Sequence, residues 1–230
     1  VLACAMMICL SGQTGFAGTN QIEEANKLVT KMMVEVESIL AKDINDDLAR
    51  RENVSALFDR YFDLPTIAKF SAGPYWRAAD ADQKTAYESA IRDVIIGTVV
   101  RNFDRLSGLK FTTTDTQAKG RQLVLVNGTF TDINQQQPPI MVGWRVVTAD
   151  NASPLILDVE IENISMLVTQ KQENIAIIRK NEGKFSVAFN EIRLSMHESR
   201  AMAVHMNSLL FFICCDASVL LCISGISSYN

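Results

Sequence analysis

Near Gly108 the chain changes its hydrophobic period, and that change limits the folds available to it more than any other feature. Before this point the apolar residues keep helical spacing. Ile22, Ala25, Val29, Met32, Met33, Val36, Ile39 and Leu40 recur every three or four residues and mark one face of a helix. Asp43 to Phe58 continue with charges outside and Val54, Leu57 and Phe58 inside. Pro65 suits the first turn of a short helix carrying Ile67, Ala68 and Phe70, which Gly73-Pro74 ends. Asp80 and Gln83 have capping-box spacing and open the most strongly patterned helix. On it Tyr87, Ile91, Val94, Ile95, Val99, Phe103 and Leu106 form one apolar stripe, and Glu88 is spaced to pair with Arg92.

Beyond Gly108 the alternation is that of strands. Lys110 to Asp115, Gln122 to Phe130, Ile140 to Val147 and Leu155 to Ile161 are separated by polar or Gly/Pro turns. Ile140, Val142, Trp144 and Val146 share one face of the third stretch. In the fourth, Leu155, Leu157, Val159 and Ile161 read as inward while Asp158, Glu160 and Glu162 read as facing water. A last helix over Gln170 to Lys180 closes at Gly183. Helices followed by an antiparallel meander predict an α+β fold, the helices covering the apolar face of about four strands.

The second constraint is chemical. The five cysteines fall at 4, 9, 214, 215 and 222, and the two histidines are His197 and His205. The body from Gly18 to Ile192 therefore lacks both residue types, which removes thiol nucleophiles, Cys/His zinc sites, Ser-His-Asp triads and disulfide frameworks from it. With a net charge of -4 and no basic run, the chain also lacks a nucleic-acid surface. No phosphate-cradling glycine loop is present. No metal and no cofactor is expected.

Both ends are apolar. Leu2 to Leu10 (LACAMMICL) is followed by small residues up to Gly15-Phe16-Ala17, the pattern of a Sec-type signal truncated at its start and cut after Ala17. Residues 18–192 then form a single domain. Residues 193–230 form an atypical hydrophobic extension, in which Ser208 to Ile226 approaches membrane-spanning length but carries Asp216 near its middle. A C-terminal anchor is possible by length but is not favoured.

Two groups in the body invite chemistry. Asp158, Glu160 and Glu162 alternate along one strand, where a general acid/base pair or an outer solvated face would both fit, the latter better. Phe58, Tyr61, Phe62, Phe70, Tyr75 and Trp76 make an aromatic-rich stretch that reads first as core.

Phe58-Asp59, Ile67-Ala68, Gly73-Pro74-Tyr75-Trp76-Arg77 and Asp82-Gln83, followed by an amphipathic helix, resemble the MlaC family, also called toluene-tolerance proteins. The stretch Asp158-Val159-Glu160-Ile161-Glu162-Asn163-Ile164-Ser165, leading to Gln172, Ile177-Ile178-Arg179-Lys180 and Gly183, resembles that family's acidic strand, turn and following helix. Asn163 stands where the family usually has Gly, a position Asn can fill because it visits left-handed backbone readily.

The resemblance covers about Ile22 to Ile192. It implies a cone-shaped, NTF2-like fold in which a curved sheet and its helices enclose an apolar pocket for acyl chains. It further implies a non-enzymatic periplasmic phospholipid carrier with no catalytic residue, its bound lipid being cargo. The implied partners are an inner-membrane ABC transporter complex with a membrane-anchored, substrate-binding-type subunit, and an outer-membrane lipoprotein complex. From facing direction, the residues expected to line the pocket are Phe70, Tyr87, Ile91, Val94, Ile95, Val142, Trp144, Ile161 and Ile164. The alternatives are a small hydrolase or isomerase of cone fold using the strand acids, and an adaptor without a cavity.

Overall fold

The computed structural model describes residues 16–42, 46–148, 153–185 and 191–192. Apart from Phe16 and Ala17, both apolar ends lie outside these residues. Helix α1 spans Phe16–Leu40, α2 Asp47–Tyr61, α3 Leu64–Ser71, α4 Tyr75–Ala78 and α5 Ala81–Asn102. A 3-10 turn over Phe103–Leu106 leads into the sheet. Strands β1 Leu109–Ala118, β2 Leu123–Asp132, β3 Ile140–Val147, β4 Leu155–Ile161 and β5 Ile164–Ser165 follow, and α6 covers Met166–Lys180. The sheet is an open antiparallel meander in the order β1-β2-β3-β4-β5. None of the described helices is long and apolar enough to cross a membrane.

Local chemistry sets most helix starts. Asp46 caps α2, accepting from Leu48 N–H at 2.8 Å. Asp63 caps α3, with Pro65 in the first turn. At α5 the capping box is reciprocal: Gln83 N–H donates to Asp80 at 2.8 Å, and the Asp80 N–H donates to the Gln83 side chain at 3.1 Å. Gly108 at φ +82 and Gly183 at φ +77 take left-handed backbone where the helical segments end.

Arg92 departs from its expected pairing with Glu88. It reaches across to α2, donating to Asp59 at 2.9 and 2.6 Å and to Ser55 at 2.6 Å. The pair is half exposed, so it contributes less than about 1 kcal/mol; it orients α5 on α2 more than it stabilises either. The stripe on α5 is also wider than expected. Ile96 is fully buried beside Tyr87, Ile91 and Val94, because α5 packs on both α2 and α3.

α1 lies on β1 and β2, and α6 on β4 and α3. The helical layer is tied to the sheet where α2 passes into α3: Phe62 forms a parallel bridge with Ile156, and Asp63 N–H donates to Ile156 O at 2.9 Å. One contiguous core runs through both layers, from Val29 and Met32 on α1 through Tyr61 and Ile91 to Val126, Val146 and Ile156.

Strand β4 corrects the sequence reading. Its pairing with β3 shifts register between Arg145 and Val146, so Arg145 faces Asp158 while Val146 faces Ile156. Leu157 is the extra residue of a bulge. Ile156, not Leu155 or Leu157, is therefore fully buried. Asp158 does not face water; it is 4% exposed. A second bulge between Thr113 and Asp115 carries β1 on to Ala118, beyond its expected end. The β4–β5 hairpin turns on Glu162 (φ 49) and Asn163 (φ 65), the two left-handed residues of a tight two-residue loop. That hairpin also starts α6 at Met166, four residues before the expected Gln170, with Ser165 as its cap.

Candidate functional site

The apolar face of the sheet is fixed by register. Val124, Val126, Gly128 and Phe130 on β2 pair with Val146, Trp144, Val142 and Ile140 on β3. Trp144 and Val142 pair in turn with Val159 and Ile161 on β4, and Phe111 on β1 pairs with Phe130. All of these side chains point to one side. Along the rows that hold Val124, Val146 and Ile156, and Val126 and Trp144, the face is closed over, with Val124, Val126, Val146 and Ile156 buried, as is Ile161. At the other end of these strands it is less covered: the cross-strand row Phe111, Phe130 and Ile140 is only half-buried, as are Ile95, Val99 and Leu106 at the border of the core.

An aromatic cluster occupies the less covered part. The Phe111 and Phe130 rings lie 5.2 Å apart, and Phe111 meets Trp144 edge-on at 6.1 Å and 81°. Phe111 can fold over β2 only because Gly128 has no side chain; a Cβ there would collide with its ring and stand 2.7 Å from Thr112 O. The Trp144 Nε1 is buried and has no hydrogen-bond acceptor among the described residues.

On the helical side, α3, the Gly73-Pro74 turn, α4 and α6 shape an open cleft of about 530 Å³. Phe70 and Trp76 supply its aromatic surfaces, and Lys69, Arg77 and Lys171 its charge; no carboxylate lines it. The Lys171 ammonium sits 4.4 Å from the Phe70 ring centroid, and Lys84 lies 5.8 Å from that of Trp76. Gly73 holds φ +57, and a Cβ on it would stand 2.6 Å from the Ile175 side chain, which fixes this turn against α6.

Behind the cleft is a buried polar chain. The Tyr87 hydroxyl accepts from Asn174 Nδ2 at 2.8 Å and shares a 3.0 Å hydrogen bond with Ser71, while Gln170 donates to Asn174 Oδ1 at 2.9 Å. Burial pushes the Tyr87 phenol up to about 12, against the smaller opposing effects of Ser71 and Asn174. Its ring also packs against Phe185 at 5.2 Å and edge-on to Trp76 at 6.3 Å.

The strand acids form a third group. Asp158 accepts from Ser165 Oγ–H at 2.5 Å and from Leu167 N–H at 2.9 Å, with Arg145 Nε 3.9 Å away. Desolvation still raises its pKa, outweighing those three favourable contacts. Glu160 pairs with the same Arg145. These carboxylates hold the start of α6 and the outer side of β3–β4.

The nine expected pocket residues are thus dispersed. Phe70 lies in the basic cleft, 39% exposed, and Ile164 is half exposed on β5. Tyr87 belongs to the polar chain, whereas Ile91 and Val94 pack in the helical core and Ile95 lies at its border. Only Val142, Trp144 and Ile161 share the apolar sheet face. Phe111 and Phe130 join them there, with Ile140, which was expected on this face but not among the pocket residues; their positions in the alternation were available, but their partners were not.

A family model described as MlaC protein matches residues 26–193. The chain belongs to the MlaC family. The fold agrees: a phospholipid-binding protein from Ralstonia solanacearum, solved in complex with a phospholipid, superposes with a TM-score of 0.62 at 18% identity, covering 74% of this chain and 97% of that one. No curated protein matches the sequence. In this MlaC-family chain the motif Gly73-Pro74-Tyr75-Trp76-Arg77 builds one wall of the basic cleft, and Asp158 to Ser165 builds the hairpin that starts α6.

Proposed function

We propose that this MlaC-family chain is a periplasmic phospholipid carrier and not an enzyme, moving lipid between an ABC-type inner-membrane assembly and an outer-membrane lipoprotein complex. The observation that carries the reading is the incompletely covered apolar sheet face around Phe111, Phe130 and Ile140, in a fold shared with a phospholipid-bound protein. Burial favours an acyl chain by about 0.8 kcal/mol per methylene, roughly 12 kcal/mol for a palmitoyl chain. Such a site needs shape and apolar surface rather than a reactive group. The acids that a hydrolase would use are already engaged, Asp158 with Ser165 and Leu167, Glu160 with Arg145.

The test is native mass spectrometry of protein purified without detergent, followed by organic extraction and lipid analysis. One phospholipid per chain is expected. A chain that stays lipid-free after incubation with phospholipid vesicles would refute the carrier reading and favour an adaptor.

A further inference from the structure

Trp144 is 7% exposed, and its Nε1 has no acceptor among the described residues. An indole N–H can only donate, and a buried donor without a partner forfeits its hydration with no return. The surroundings define the missing partner. Val126 and Val159 flank Trp144 across the sheet, Val142 and Val146 lie on the same face, and the Phe111 ring stands edge-on to it. The nearest strand charges, Arg145, Asp158 and Glu160, alternate to the other face and are occupied with one another. Among the described residues, its strand partners on this face are all apolar and none is a cation, so the acceptor that suits it is uncharged and arrives with an apolar body.

A phospholipid carries such an acceptor at one level only, in the ester carbonyls between its charged phosphate and its hydrocarbon. We infer that the Trp144 indole N–H donates to an acyl-ester carbonyl of the bound lipid, and so sets how deeply the lipid sits. This rests on the phospholipid reading above and deepens it. The acyl chain then runs from Trp144 over the half-buried Phe111, Phe130 and Ile140, and the phosphate stays outside. The consequence is selectivity for diacyl over dialkyl lipids, independent of the head group.

The experiment compares dipalmitoyl phosphatidylglycerol with its dihexadecyl ether analogue, each presented as vesicles to the delipidated full chain. The protein has two tryptophans, Trp76 and Trp144, so its two indole ¹⁵N–¹H resonances are assigned by the loss of one in Trp144→Phe. The ester lipid is expected to move the Trp144 resonance and to bind roughly two- to tenfold more tightly than the ether, the effect of one net hydrogen bond. In Trp144→Phe the two lipids should bind alike. Equal binding of both by the wild-type chain, or an unmoved Trp144 resonance on ester binding, overturns the inference and leaves the carrier reading intact. Failure to bind either lipid overturns both. If Trp144→Phe does not fold, the wild-type comparison decides alone, with Trp76→Phe supplying the assignment.

Discussion

The Phe111 ring rests on the bare backbone of Gly128, the two residues lying on adjacent strands of the same apolar face. Gly128→Ala should displace that ring and, because Thr112 O is also within 2.7 Å of the new methyl, strain the β1–β2 ladder. The expected cost is about 1–3 kcal/mol of stability, as for other overpacked sites, read from the urea midpoint. Unchanged stability would mean that the ring is free to move away.

Tyr87→Phe removes the hydroxyl between Ser71 and Asn174 and leaves a buried amide donor without its acceptor. A loss of about 1–3 kcal/mol is expected, larger than usual for so small a change. The wild-type chain should also lose stability as pH rises from the ordinary phenol value of 10.0 toward the raised value of about 12, since the folded form holds that proton more tightly. The variant should lose less over the same alkaline range.

Asp158→Asn tests the buried carboxylate. Burial raises its folded pKa above the ordinary 3.8. The folded state therefore binds the proton more tightly, and this group favours folding most below that value. Its contribution falls as pH rises through the ordinary value and on through the raised one. Urea midpoints measured from acid to neutral pH should show a smaller downward component in the Asn variant. An identical pH profile would remove Asp158 from the account.

Gly73→Ala places a methyl against Ile175 at a backbone φ of +57. The left-handed conformation alone costs about 1–2 kcal/mol for a residue with a side chain. Thermal unfolding should show the loss, and relief by a second change, Ile175→Val, should recover only the steric part.

The sequence disclosed what depends on near neighbours. The capping of α5 by Asp80 and Gln83, Pro65 in the first turn of α3, and the turns at Gly108 and Gly183 are settled within a few residues. Strand faces were legible wherever pairing ran without a shift, as along Ile140 to Val146. They were not legible at β4, where the bulge at Leu157 arises from pairing with β3 and turns Ile156 inward, and where Asp158, on its expected face, is buried at the start of α6 by Ser165 and Leu167. Tyr87 misled for the same reason. Its position on an apolar stripe was correct, but Asn174 on α6 completes its hydrogen bonds 87 residues later. Arg92 likewise found Asp59 on another helix instead of Glu88 on its own. The basic cleft is assembled from three helices and a turn, so no single stretch announced it.

The bulge in β1 has a consequence for how copies of this chain meet. β1 is an edge of an open sheet, and an unpaired edge invites another strand to add to it. Here the edge runs Thr112-Thr113-Thr114-Asp115-Thr116-Gln117, polar along its length, and the bulge between Thr113 and Asp115 breaks its repeat. Along this polar stretch a second strand would not find a straight ladder to extend. The fold keeps its greasy surface on one side of the sheet and guards the sheet's open rim against self-association.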